Sequence, residues 1–350
     1  MAQDNYRLLP LAGDFPPGLN SSDPAHKLEI GETPDGYGYD LSTDGVITKG
    51  TVPSGTARVS PTVTLTESAL SIPYLWYYNR LWNITGRTVS TASNVLIYSA
   101  PYYQQIFYPQ GLGKIPLDED AQTILALLPV EPDGLFVAKS TGGYLISNLS
   151  DGRGFFQRSE IMQEMATPAA NQVVEIDSSV FVNNSSGVTM LRQGQTAEIS
   201  RKIRGETLTP LAVTADYSKR RVIFGSTHVY DVAAERWFKY SGSSFRFTTR
   251  QLTSPDWAPF AVDRAVFVLE HTGTSDGQIS YALKLENDAW TNPIDRIVPY
   301  STENYTFFGE TLASRRSVRR FQMRISELTG LKLREILVNT NAKQADDYAS

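Results

Sequence analysis

The chain has 350 residues, 41% of them hydrophobic and 20% charged, enough apolar content to bury a large core and too much for a wholly disordered chain. Its formal net charge of -5 excludes the broad basic footprint of a general DNA-binding protein and leaves room only for a local basic patch. There is no cysteine, so a disulfide framework, a thiolate nucleophile and a cysteine-ligated metal are excluded, a pattern that fits a reducing compartment.

The opening residues, MAQDNYRLLPLAGDFPPG, lack a basic start and a continuous apolar run. No later stretch approaches the roughly 18 apolar residues of a membrane span, so neither a signal peptide nor membrane insertion is expected. Residues 1–61 are dense in breakers, including Pro16-Pro17-Gly18, Thr33-Pro34-Asp35-Gly36 and Val52-Pro53-Ser54-Gly55. With few apolar runs of its own, this segment reads as an extended N-terminal arm, laid on its own domain or docked on a neighbouring subunit.

From residue 62 to 310 the pattern changes to short β-type runs punctuated by turns. A polar turn followed by a bulky apolar run recurs at Leu81, Leu135, Val180, Val222 and Val266, with separations of 54, 45, 42 and 44 residues. That period suits the blades of a β-propeller, and the second run and aromatic third run after each marker suit four strands per blade. The expected fold is therefore all-β, a β-propeller of five or six blades. Its clearest unit is Thr123 to Asn148, where Ile124 to Val130, Leu135 to Ala138 and Tyr144 to Ile146 are separated by Glu131-Pro132-Asp133-Gly134 and Thr141-Gly142-Gly143. These turns suit antiparallel hairpins whose glycines reach φ > 0.

Helix signals are few: Asp118 to Gln122 leading into Ile124 to Leu128, and Ser159 to Met165. The strand reading of 123–130 is preferred because it supplies the inner strand of its blade. At residues 311–338, Phe321, Met323 and Ile325 alternate with polar residues, as do Leu331 and Leu333 after Thr329-Gly330. This reads as a C-terminal β-hairpin closing or flanking the propeller, followed by a polar tail at 339–350 that is expected to fray.

The three histidines, His26, His228 and His271, stand alone without metal-ligand spacing and read as packing or surface residues. Phosphate-loop, Gly-x-Ser-x-Gly, His-Glu-x-x-His and EF-hand patterns are absent, so no catalytic, metal or cofactor-binding residue is assigned and no enzyme is expected. Paired carboxylates from different blades would leave no such pattern. A propeller glycosidase therefore stays as an alternative, beside a receptor- or glycan-binding propeller. The notable charge cluster is Arg315, Arg316, Arg319 and Arg320, with Arg324 beyond it. It reads either as a solvated turn or as a contact with an acidic partner surface or with DNA phosphates.

Two passages carry a resemblance. Ile124 to Val130 with Asp133 to Ala138 and Gly143 to Ser147 resembles the recurrent propeller unit of tailed-bacteriophage tail and neck proteins. Asn79-Arg80-Leu81-Trp82 leading to Asn94 to Pro101 resembles another recurring phrase of that family, and Phe15 to Asn20 is similar to its openings. The resemblance implies a structural virion component of the tail-nozzle or tail-accessory type of short-tailed phages, made in the host cytoplasm and residing in the virion tail. It also implies a homo-oligomeric ring, such as a hexamer, around the DNA exit channel below the portal-adaptor complex, with other tail proteins as partners and non-specific contact with the genome. If the arginine cluster serves that assembly, replacing Arg315, Arg316, Arg319 and Arg320 with serine is expected to lower particle yield or DNA retention while leaving the blades folded. Counting filled particles checks this, and normal yield with full genomes would mark the cluster as a solvated turn.

Overall fold

Short apolar runs joined by tight turns satisfy their backbone groups by pairing with their sequence neighbours, and antiparallel meanders follow. The computed structural model describes residues 70–85, 95–101, 103–107, 113–117, 124–150, 156–159, 162–204, 206, 208, 211–240, 245–253, 259–311 and 317–340, with residue 55 and strand segments at 7–12, 18–19, 32–33, 39–41, 47–49, 62–65 and 88–89. The described residues contain β-strands and three short 3-10 turns but no α-helix. They fall into two compact units. The first comprises residues 1–53, 202–206 and 226–350, and the second residues 54–201 and 207–225.

The second unit is built on the meander Ala126–Val130, Gly134–Lys139, Gly142–Ser147 and Gln157–Arg158, four antiparallel strands in chain order. The strand expected at 123–130 is observed from Ala126. The candidate helix start at 118–122 lies outside the described residues, and the second helical candidate keeps only a 3-10 turn at Gln163–Met165. Both faces of this meander are buried. Leu127, Leu135, Val137, Tyr144 and Ile146 pack with Trp82, Leu96, Tyr98 and Ile115 on one side. Leu128, Val130, Phe136 and Ala138 pack with Val173, Val180, Val182 and Leu191 on the other. Two-sided burial explains why every residue of Gly134–Lys139 is buried, a continuous run where one-sided burial would leave alternation.

A second four-stranded meander, Val173–Ile176, Ser179–Asn184, Gly187–Arg192 and Gln195–Glu198, supplies the facing sheet, and the hairpin Val213–Asp216/Arg221–Phe224 follows. These stacked sheets agree with the expected blades in kind. Closure into a propeller and a count of five or six blades do not follow from the described residues. The turns of successive hairpins are linked: Tyr78 Oη donates to the Pro132 carbonyl. Ser178 Oγ donates to Glu131 Oε2 at 2.7 Å, Tyr217 Oη to the Glu175 carbonyl at 3.1 Å, and Arg220 pairs with Asp177 at 2.5 Å.

The first unit departs from the repeat. Phe260–His271 lies between Thr306–Thr311 and Leu331–Thr340 in a seven-stranded sheet. Gly277–Leu285 lies between Ile294–Val298 and Arg320–Thr329 in a five-stranded one. The expected fifth blade at 260–285 is thus corrected: its two runs belong to different sheets. Strands of 12 and 9 residues find longer ladders with the C-terminal strands than with each other.

The expected C-terminal hairpin at 311–338 is corrected for the same reason. Arg320–Thr329 pairs with Gly277–Leu285, whereas Leu331–Thr340 pairs with Phe260–His271. Gly330, at φ +69, turns the chain from one sheet to the other. Phe267 and Tyr281 meet between the sheets at a centroid distance of 5.4 Å. The N-terminal arm supplies strands to the first sheet: Arg7–Ala12 pairs with Leu331–Thr340, as Ile47–Lys49 does through Leu333. Most of residues 1–61 lies outside the described residues. The tail expected to fray at 339–350 is corrected at its start, where Asn339 and Thr340 end the strand Leu331–Thr340 and pair with Phe260–His271, and residues 341–350 lie outside the described residues.

The hairpin glycines work differently from expectation. Gly134 and Gly143 are not in the left-handed region, and a Cβ on Gly143 would stand 2.3 Å from the Phe136 ring. Phe136 is fully buried between two sheets and has nowhere to retreat. Gly143→Ala is therefore expected to cost about 1–3 kcal/mol by overpacking. Gly273→Ala, which meets nothing within 4 Å, should stay within about 0.5 kcal/mol of the parent. Urea midpoints of the two variants check both.

Candidate functional site

The described surface of the first unit concentrates its exposed apolar side chains in one segment, with Ile297 and Phe307 68% exposed, Tyr300 39% and Tyr305 37%. Topology puts this segment there. It joins Ile294–Val298, in the five-stranded sheet, to Thr306–Thr311, in the seven-stranded one. The base is clamped by Arg296, whose Nε and Nη2 donate to Glu310 Oε2 and Oε1 at 3.0 and 2.7 Å, a two-point contact that fixes orientation as well as distance. The Tyr300 backbone N–H is held by Asp276 Oδ1 at 2.8 Å.

Beside this segment lies an open cleft of about 410 Å³, mostly polar in lining, to which Glu270, Tyr300, Glu303, Asn304, Tyr305 and Arg334 contribute. Glu270 and His271 end their strand, and Arg334 comes from the neighbouring strand. The Arg334 guanidinium lies 4.7 Å from the Tyr305 ring centre, a contact that orients the ring and keeps the cation at the site. Lys332 Nζ pairs with Glu270 Oε1 at 3.0 Å. The His271 ring meets Tyr300 edge-on at 5.4 Å, and both its ring nitrogens are buried without a hydrogen bond inside the protein. Rings, carboxylates, an amide and a guanidinium thus share one cleft. That set suits a ligand with apolar faces and a rim of hydroxyls.

No group of residues suited to a metal occurs among the described residues. His228 is buried, with Nε2 3.3 Å from Glu206 Oε2 and Nδ1 2.9 Å from Thr227 Oγ1. Since a carboxylate only accepts, Nε2 carries the proton of the neutral ring and the threonine hydroxyl donates to Nδ1. Burial outweighs the attraction of Glu206 and holds the His228 pKa below its usual value. Burial alone would raise Glu206, but the hydrogen bond and charge of Lys239, 2.7 Å away, together with His228 hold it below the usual range. His228 is the packing residue expected from sequence, and His26 lies outside the described residues.

The arginine cluster is only partly placed. Arg315 and Arg316 lie outside the described residues. Arg319 is exposed, with its backbone N–H held by the Glu286 carboxylate, and Arg320 Nη1 donates to Asn287 Oδ1 at 2.7 Å. Arg324 stacks 3.9 Å from the Trp290 ring centre and reaches Thr248 Oγ1 at 3.2 Å, so its side chain serves local packing. Sequence reasoning did not single out the cleft. Its one local signal was Tyr300-Ser-Thr-Glu-Asn-Tyr305, a polar loop bounded by tyrosines.

No protein-family model matches the sequence, and no curated protein sequence does. Among solved structures, the chain aligns with an exo-β-1,3-galactanase from Phanerochaete chrysosporium at 9% identity and TM-score 0.24, covering 74% of this chain and 78% of that one. It aligns with a glycoside hydrolase family 43 arabinoxylan arabinofuranohydrolase from Bacillus subtilis at 10% identity and TM-score 0.25, covering 79% and 65%. A family 29 carbohydrate-binding module matches at 14% identity and TM-score 0.17, over 30% of this chain and 75% of that one. TM-scores this low carry no argument about the function of this chain. The expectation that the chain is not an enzyme is corrected: it rested on absent linear motifs, which catalytic carboxylates drawn from distant segments do not leave, and the aligned glycoside hydrolases stand as similarity alone.

The environment of His228 has a pH consequence. Its folded-state pKa is depressed, so protons bind more readily to the unfolded chain, whose histidine titrates at about 6.5, and stability is lost as pH falls through that value. Thermal melts taken between about pH 8 and about pH 5.5 should show this loss, and His228→Gln should flatten it.

Proposed function

We propose that the protein binds saccharide chains in the cleft bounded by Tyr300, Tyr305 and Arg334. The observation that carries this reading is the combination of two half-exposed tyrosines with the carboxylates of Glu270 and Glu303, the Asn304 amide and a guanidinium around one open volume. Sugar rings offer C–H faces that aromatic rings cover and hydroxyl rims that planar polar groups hold. The Arg334 contact limits the freedom of Tyr305 before a ligand arrives, which lowers the entropy cost of binding. The buried nitrogens of His271 add an unmet hydrogen-bonding capacity beside Tyr300.

A second reading is the tail component of a short-tailed phage, and one observation favours it. The residues that carry that resemblance, 124–147 and 79–82, build the meander buried on both faces and its neighbour, a stiff block suited to an assembly. The ring, the portal-adaptor neighbours and the DNA channel belong to this reading as proposals. The two readings are compatible, since a virion protein can hold a surface glycan.

Titration calorimetry against a panel of neutral and acidic oligosaccharides tests the first reading. Binding by the parent protein, weakened at least about tenfold by Tyr305→Ala, is the expected result. No binding across the panel, or binding indifferent to Tyr305→Ala and Arg334→Ala, would overturn it. Release of new reducing ends would extend the reading to glycoside hydrolysis.

A further inference from the structure

The second unit carries a groove of about 270 Å³ with a mainly apolar lining to which Val130, Pro132 and Leu145 contribute, beside Glu131 and Asp133. The carboxylates are held in place. Asp133 Oδ1 and Oδ2 accept from the backbone N–H and hydroxyl of Ser150, both at 2.6 Å, and Glu131 Oε2 accepts from Ser178 at 2.7 Å. Asp177 sits on the next turn of the row, and Glu175 lies on the strand that leads into it. The field of these groups reaches a neighbour: burial, then Tyr78, Glu131, Glu175 and Asp133 push the Tyr77 phenol up to about 12.

An apolar floor beside anchored carboxylates matches one natural side chain well. The methylene stem of an arginine lies on apolar surface while its fork meets oxygens in two places. The chain offers such a side chain. Arg319 is exposed at the start of Arg320–Thr329, its backbone is pinned by Glu286, and Arg320 follows it. We propose that the groove beside Glu131 and Asp133 receives Arg319 of a second copy of this chain. Charge complementarity selects that occupant, a cationic segment meeting an acidic groove on a molecule that is acidic overall. Donor and acceptor are different patches, so the contact is head-to-tail, and repetition yields a closed ring or an open filament. This inference is independent of the saccharide cleft.

Sedimentation velocity of the full-length protein at about 50 mM and about 500 mM salt tests it, because exposed ion pairs are screened at the higher ionic strength. The parent is expected to form oligomers at low salt that dissociate at high salt. Glu131→Arg and Arg319→Glu should each sediment as monomers. Mixed in equal amounts they should associate again, since each retains one intact surface and the two reversed surfaces carry opposite charges. A parent that stays monomeric at low salt, a variant that assembles like the parent, or a mixture that remains monomeric would each overturn the proposal. Should Glu131→Arg fail to fold, Glu131→Gln keeps the side-chain shape and its serine contact. It is expected to raise the dissociation constant of assembly about tenfold, and unchanged assembly would overturn the proposal equally.

Discussion

Burial of one meander on both faces is the constraint on which the second unit depends. The strands from Ala126 to Ser147 give alternate side chains to two separate clusters, one around Trp82 and Leu96 and one around Val173 and Val182. A sheet with one wet face can tolerate polar alternation, whereas a sheet inside a stack cannot. That is why Lys139, fully buried on this meander, lies 6.0 Å from the Tyr144 ring centre. Buried Arg80, in the neighbouring hairpin, likewise donates to the Ser99 carbonyl at 2.9 Å and lies over Tyr98 and Phe156. Cations are kept inside such a stack only where rings and carbonyls replace water.

The two units solve the same problem at different strand lengths. In the second, strands of four to six residues pair with sequence neighbours, and their turn tips line up and bond to one another. In the first, strands of nine to twelve residues exchange partners across the chain and draw in the N-terminal arm. Long-range pairing leaves a loop at 299–305 between two sheets, and that loop, held at its base by Arg296 and Glu310, lines the cleft. Local pairing instead places Glu131, Asp133 and Asp177 in a row. Each unit thus offers a different set of contact groups, aromatic rings among mixed polar groups in one, carboxylates beside an apolar floor in the other.

The positions of these groups differ in how far the sequence discloses them. The arginine cluster stands out because like charges are adjacent in the chain, yet adjacency does not reveal that Arg324 is stacked on Trp290 while Arg319 is exposed. The cleft was hidden for the opposite reason. Arg334 and Tyr305 are 29 residues apart and meet only because Phe260–His271 pairs with both of their strands. Carboxylates such as Glu131 and Asp177 belong to separate hairpins, so their common row is a product of stacking and not of spacing.

By itself the sequence determined the strand character of the chain, the meander at 126–147, and the register of its turns, because apolar periodicity and breaker residues act over a few neighbours. It also fixed the absence of thiol chemistry. Only the tertiary structure decided that the runs after residue 260 leave the repeat, that Gly330 passes the chain between two sheets, and that Tyr300, Tyr305 and Arg334 share a cleft. Those outcomes depend on which distant strand offers the longer ladder and the better-filled apolar face, a competition that no local pattern records.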